Sequence, residues 1–144
     1  MNQVKSAFCC LPSLSMTQVT ELTPYELLGG APVLRQLVDR FYDLMASDPR
    51  AATIQAMHGA DTGLIREKLF EFLSGWLGGP QLFIEKYGHP RLRARHMPFA
   101  IGEAERDQWL LCMYQAMNDT PMPAEVRSHL EDAFFRTADF MRNQ

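Results

Sequence analysis

Cysteine is scarce in this chain: three in 144 residues, with Cys9 and Cys10 adjacent. That is no closed disulfide set, and it points to a reducing compartment, with a cytoplasmic location as the expectation. No apolar run approaches the ~20 residues a membrane-spanning helix needs. Charge of one sign is not in excess either. The formal net charge is -3, so a general binder of nucleic acid or other polyanions is not expected. No segment alternates apolar and polar residues for long, which argues against strands. His-x-x-x-His and Cys-x-x-Cys spacings are missing, so a dedicated zinc site is unsupported. Gly29-Gly30 and Gly78-Gly79 fit neither nucleotide-binding glycine pattern.

What remains is an ordinary globular composition, 47% hydrophobic and 22% charged, with helical periodicity throughout. The length suits one domain. "TPYE" at 23–26 reads as a helix start: Thr23 caps, Pro24 takes the first helical position and Glu26 completes a capping box. After Gly29-Gly30 a long helix places Leu34, Leu37, Val38, Phe41, Tyr42 and Met45 on one face, and Asp48-Pro49 stops it. Residues 50–63 are weaker, anchored by Ile54 and Met57. "LIREKLFEFLSGWL" is amphipathic through Ile65, Leu69, Phe72, Leu73 and Trp76, and Gly78-Gly79-Pro80 ends it. Pro90 and Pro98 allow only short helices over 81–102. Glu103 and Glu105 suit the first turn of a helix carrying Trp109, Cys112, Met113, Ala116 and Met117. A last helix from about Ala124 buries Val126, Leu130, Phe134, Ala138 and Met141. The reading is an all-α single domain over 17–144, preceded by a disordered extension over 1–16.

Chemistry concentrates in "GHPRLRARHMPFAIG", the longest irregular part. Pro98 ends any helix near His96 and frees carbonyls. One of them suits the second N–H of the imidazole, which fixes the tautomer and leaves the other nitrogen for a metal. Phe99 and Ile101 supply apolar walls. Arg91, Arg93 and Arg95 suit carboxylates on a ligand's edge. A single-histidine metal in an apolar disc with two carboxylates describes haem. Plainer readings stand beside this one. A lone histidine near proline is more often packed or on the surface, an arginine run is more often a solvated rim, and Tyr42 and Trp109 on apolar helix faces are usual core aromatics.

Taken in order and spacing, "GGP" at 78–80, "YGHPRLRARHMPFAIG" at 87–102 and "ERDQWLLCM" at 105–113 resemble the group II truncated haemoglobins, from about Tyr25 to Met141. The resemblance implies a globin-like fold, shortened to a two-over-two helical sandwich enclosing one haem b. It puts the proximal iron ligand on His96 in "RARHMPF". It puts distal donors on Tyr42 in "RFYDLM", Trp109 in "ERDQW" and His58 in "IQAMHGAD". It also implies that Leu69, Phe72 and Ile65 face the haem, with Arg91, Arg93 and Arg95 at its propionates and Phe99 and Ile101 along one wall. The segment "HGADTG" departs from the family's common His-Pro-Glu-Asp.

The function so implied is reversible binding of dioxygen, and of NO, CO or sulfide, in a monomer or homodimer served by an unidentified reductase. An enzyme on the same haem, with peroxidase-like turnover of peroxide or nitric-oxide-detoxifying activity, is the alternative. A haem-free helical scaffold is the third reading.

Overall fold

The computed structural model of the protein describes residues 22–144. The expected extension over 1–16 lies outside the described residues. Among those described there are eight α-helices and no strand: α1 Pro24–Leu28, α2 Gly30–Ser47, α3 Ala52–His58, α4 Gly63–Trp76, α5 Leu82–Tyr87, α6 Leu92–His96, α7 Glu103–Asn118 and α8 Ala124–Phe140. A 3-10 turn, Pro49–Ala51, links α2 to α3.

The expected capping box forms at α1. Glu26 N donates to Thr23 Oγ1 at 3.2 Å and Thr23 N donates to Glu26 Oε1 at 3.0 Å. Gly29, at φ +124, turns the chain into α2 at a backbone angle that other residues rarely adopt. The Asp48 carboxylate accepts from Arg50 N at 2.9 Å and starts the 3-10 turn. At α7 no side chain caps from residue 102, so the Glu105 carboxylate reaches back to accept from Gly102 N at 2.8 Å.

α2 packs on α4 and on α7, and α7 packs on α8. This is the two-over-two sandwich: α2 with α4 over α7 with α8. Its centre holds Leu34, Leu37, Val38, Phe41, Met45, Met113, Met117 and Phe134, all nearly inaccessible to solvent. Full burial of such side chains contributes about 1.5–3 kcal/mol each, far more than the pairs on the rim. The α2–α4 seam also carries Arg66 bonded to Asp43 at 2.7 Å and Arg35 bonded to Glu67 at 3.0 Å.

"GGP" has a packing reason. A Cβ on Gly79 would lie 2.5 Å from the Tyr25 ring, so only glycine lets α1 sit on the turn after α4. Tyr25 N donates to Leu77 O at 2.9 Å, and Ser74 Oγ donates to Pro80 O at 2.7 Å.

α4 differs from its expected single face. Phe70, Leu73 and Leu77 are buried in the core, with Glu71 and Ser74 beside them. Ile65, Leu69, Phe72 and Trp76 are only half-buried. The helix has two apolar faces, one for the core and one for a cleft. Buried Glu71 is neutralised by Lys86 of α5, and this hydrogen bond holds the ammonium above its usual pKa range.

Candidate functional site

The irregular stretch resolves into two short helices, α5 and α6, with Gly88 at φ +81 between them. His96 is the last residue of α6 and is half-buried. Its Nδ1 lies 2.6 Å from Leu92 O. A carbonyl only accepts, so Nδ1 carries the hydrogen and Nε2 presents a free lone pair. The acceptor was expected among carbonyls freed by Pro98. It comes instead from one turn upstream, where i and i-4 lie on the same helix face.

The three arginines go different ways. Arg91 takes a left-handed backbone, φ 48, at the start of α6, and its N–H donates to His89 Nδ1 at 3.0 Å. Its side chain is exposed. Arg93 donates through Nη1 to the carbonyls of Phe140 and Arg142. Arg95 Nε donates to Pro90 O at 2.6 Å, and its guanidinium lies 5.4 Å from the Phe83 ring centre.

A cleft of about 730 Å³ opens between α4, α6 and α8. It lies in the ~300–1,000 Å³ range of ligand pockets. Phe72 and Trp76 form its α4 wall, Leu92 and Arg93 its α6 wall, and Phe140 and Met141 its α8 wall. Phe72 and Trp76 stack with centroids 6.4 Å apart, and Phe72 meets Phe83 edge-on at 6.3 Å. Ile101 is half-buried and Phe99, three residues after His96, is 41% exposed. Leu69 and Ile65 continue the half-buried face of α4.

On the α2 side, Tyr42 and His58 meet edge to face at 5.8 Å. Phe41 touches both neighbours, Tyr42 at 4.9 Å and Trp109 at 5.1 Å, and so ties the two aromatics together. Trp109 also contacts Phe134 at 5.7 Å. His58 ends α3 with Nδ1 2.7 Å from Ile54 O, which puts the proton on Nδ1 and leaves Nε2 as the acceptor, as in His96. Tyr42 is 3% exposed, and burial pushes its phenol well above the ordinary 10.0, opposed by the nearby Arg66 charge. The hydroxyl therefore stays a neutral donor, and it makes no hydrogen bond to a described residue.

The donor set fits a haem. It offers one imidazole with its tautomer fixed, an apolar stripe on α4, cations beside α6 and an uncommitted phenol on α2. Sequence reasoning missed three contributors. Lys68 of α4 reaches toward α5, with Nζ 5.3 Å from the Tyr87 ring centre. Arg66 sits 5.7 Å from the Tyr42 ring. Asn143 bonds the segment after His96. For Arg66 a signal was present, since Asp39 and Asp43 offer two acids on one face of α2.

Comparison with known proteins identifies the family and the fold. The family model described as "Bacterial-like globin" matches residues 23–143. The chain is 41% identical over 121 residues to the Group 2 truncated hemoglobin YjbI of Bacillus subtilis, covering 84% of this chain and 89% of that protein. Among solved structures, a cold-adapted truncated hemoglobin from Pseudoalteromonas haloplanktis TAC125 superposes with TM-score 0.83 at 46% identity, over 85% of this chain and 99% of that one. A truncated oxygen-avid haemoglobin from Bacillus subtilis superposes with TM-score 0.79 at 40% identity, over 85% of this chain and 100% of that one. The chain belongs to the bacterial-like globins, as a truncated haemoglobin of the second group.

Proposed function

We propose that this protein holds haem b through His96 Nε2 and binds dioxygen reversibly, with Tyr42 and Trp109 as the distal hydrogen-bond donors, while His58, whose Nδ1 proton goes to Ile54 O, donates from Nε2 only as an imidazolium. Globin membership supports the broader statement, a haem protein that takes gaseous ligands. The observation that carries the finer one is the Leu92 carbonyl on His96 Nδ1 at 2.6 Å. It leaves one basic nitrogen per imidazole for a metal and restricts rotation of the ring.

Bound haem would supply an iron centre able to take a small diatomic ligand, and His96 would hold it. The chain does the rest. Phe99 and Ile101 form one wall, and Ile65, Leu69 and Phe72 exclude water from the other. Arg91, Arg93 and Arg95 serve the propionates. Arg93 and Arg95 each give hydrogen bonds to main-chain carbonyls, yet a guanidinium has five N–H donors, so each has some to spare. Tyr42 stays protonated and donates. A hydrogen bond to a charged acceptor is worth about 1.5–3 kcal/mol, so one aligned donor slows ligand escape about ten- to a hundredfold. NO, CO and sulfide are small enough for the same space.

The same donors would suit peroxide cleavage. A proximal imidazole serves globins and peroxidases alike, so turnover with peroxide and a reducing dye, set against oxygen-binding kinetics, separates the two readings. Absorption spectra of purified protein in ferric, ferrous and CO-treated forms test the proposal. One haem per chain with a sharp CO-dependent Soret change is expected. Failure to take up haemin overturns it.

A further inference from the structure

α6 cannot hold itself in place. It has five residues, none of them buried, and helices so short are not stable alone. The main chain after His96 has its own difficulty. Met97 N and Phe99 N bond back to Arg93 O and His96 O, but Pro98 ends the helix and leaves Phe99 O and both main-chain groups of Ile101 in need of partners from elsewhere.

The C-terminal end of the chain supplies both needs. Arg93, one turn before His96, donates to Phe140 O and Arg142 O. Asn143 then bonds the backbone on the other side of His96. Ile101 N donates to Asn143 Oδ1 at 3.0 Å, while Asn143 Nδ2 donates to Phe99 O at 2.8 Å and reaches His96 O at 3.4 Å. These partners fix the orientation of the carboxamide, because an amide N–H only donates and a carbonyl only accepts. The main-chain N–H groups of Asn143 and Gln144 add bonds to Ile101 O at 2.9 and 3.1 Å. A carboxamide accepts through its oxygen and donates through its nitrogen, and here it does both within one loop.

We infer that residues 140–144 form a clasp that sets where the His96 imidazole stands, with Asn143 as its positioning residue. The inference rests on His96 being the iron ligand. The clasp grips α6 before that histidine and the loop after it, so it resists both tilting and withdrawal of the ring. Haem retention and the iron–imidazole bond then depend on a side chain 47 residues away that acts through the main chain around His96.

Asn143→Ala tests this in two arms. In haem-free protein, hydrogen exchange at the Ile101 amide is expected to speed up about tenfold, the loss of one hydrogen bond. In haem-loaded protein, haemin loss to a scavenger is expected to be about tenfold faster, with a shifted or broadened iron–histidine Raman band. Unchanged Ile101 exchange, or wild-type haemin loss together with a wild-type Raman band, overturns the clasp. Should the alanine variant not fold, Asn143→Asp keeps the acceptor for Ile101 and loses the donor to Phe99, so its Ile101 exchange is expected to stay near wild type while haemin loss quickens and the Raman band shifts; wild-type haemin loss and a wild-type band in that variant overturn the clasp. Wild-type protein that takes up no haemin overturns the haem reading, and the exchange arm still decides the clasp.

Discussion

The Tyr42 and His58 rings meet at 71° with centroids 5.8 Å apart, one from the middle of α2 and one from the end of α3. The contact is apolar at the rings, and it leaves the phenol hydroxyl and His58 Nε2 available. Removing the hydroxyl therefore affects ligand binding much more than folding. Tyr42→Phe is expected to release oxygen about ten- to a hundredfold faster while unfolding within about 0.5 kcal/mol of wild type. Stopped-flow oxygen displacement and urea titration measure the two. Trp109→Phe is expected to act in the same direction. Unchanged off-rates in both variants contradict the donor scheme.

Phe41 is the packing link between the two distal aromatics. It is completely buried and touches Tyr42 and Trp109. Phe41→Ala is expected to cost about 3–5 kcal/mol of stability, through lost burial and the cavity left behind. It should also raise the ligand off-rate, because both rings gain room. Urea unfolding together with flash photolysis checks whether the two effects occur in the same variant.

The turn after α4 makes a sharper test of the fold. A Cβ at Gly79 would meet the Tyr25 ring at 2.5 Å, and ring atoms cannot yield cheaply there. Gly79→Ala is expected to destabilise the protein by about 1–3 kcal/mol and to loosen α1. Tyr25→Ala combined with it should recover part of that loss, because the clash is gone. No recovery in the double variant would mean that the ring is not the obstacle.

Alkaline pH should weaken the fold through two buried acids. Burial pushes the Cys112 thiol from its ordinary 9.0 up to about 11, with the charge of Asp48 adding to the effect. The Tyr42 phenol moves further in the same direction. Both groups prefer to stay protonated when folded. Their contribution is complete below the unfolded-state values, begins to fall above about pH 9 and is lost as pH rises through the folded values. The urea midpoint is expected to drop over that window, and the drop should be smaller in Cys112→Ala. Equal slopes for the two proteins contradict the burial argument for Cys112.

Local signals in the sequence read well. Thr23, Pro24 and Glu26 announce a helix start that needs no distant partner, and the buried faces of α2, α7 and α8 follow from spacing. α5 and α6 were hard to see because five or six residues complete too few turns to show a period. Alternating arginines also mislead. On a helix, residues two apart point about 200° away from each other, so Arg93 turns to the C-terminal carbonyls while Arg95 covers Phe83. The second apolar face of α4 reads as ordinary core until something is known to fill the cleft. Asn143 gave no sequence signal, because its partners lie more than forty residues earlier and are main-chain atoms.

The central claim is that the His96 imidazole is the iron ligand. His96→Ala should be purified, reconstituted with haemin and compared with wild type by absorption spectroscopy and haem stoichiometry. Weak haemin retention and an altered Soret band, with exogenous imidazole restoring the wild-type spectrum, are the expected results. A variant that matches wild type in both band and stoichiometry would contradict the account.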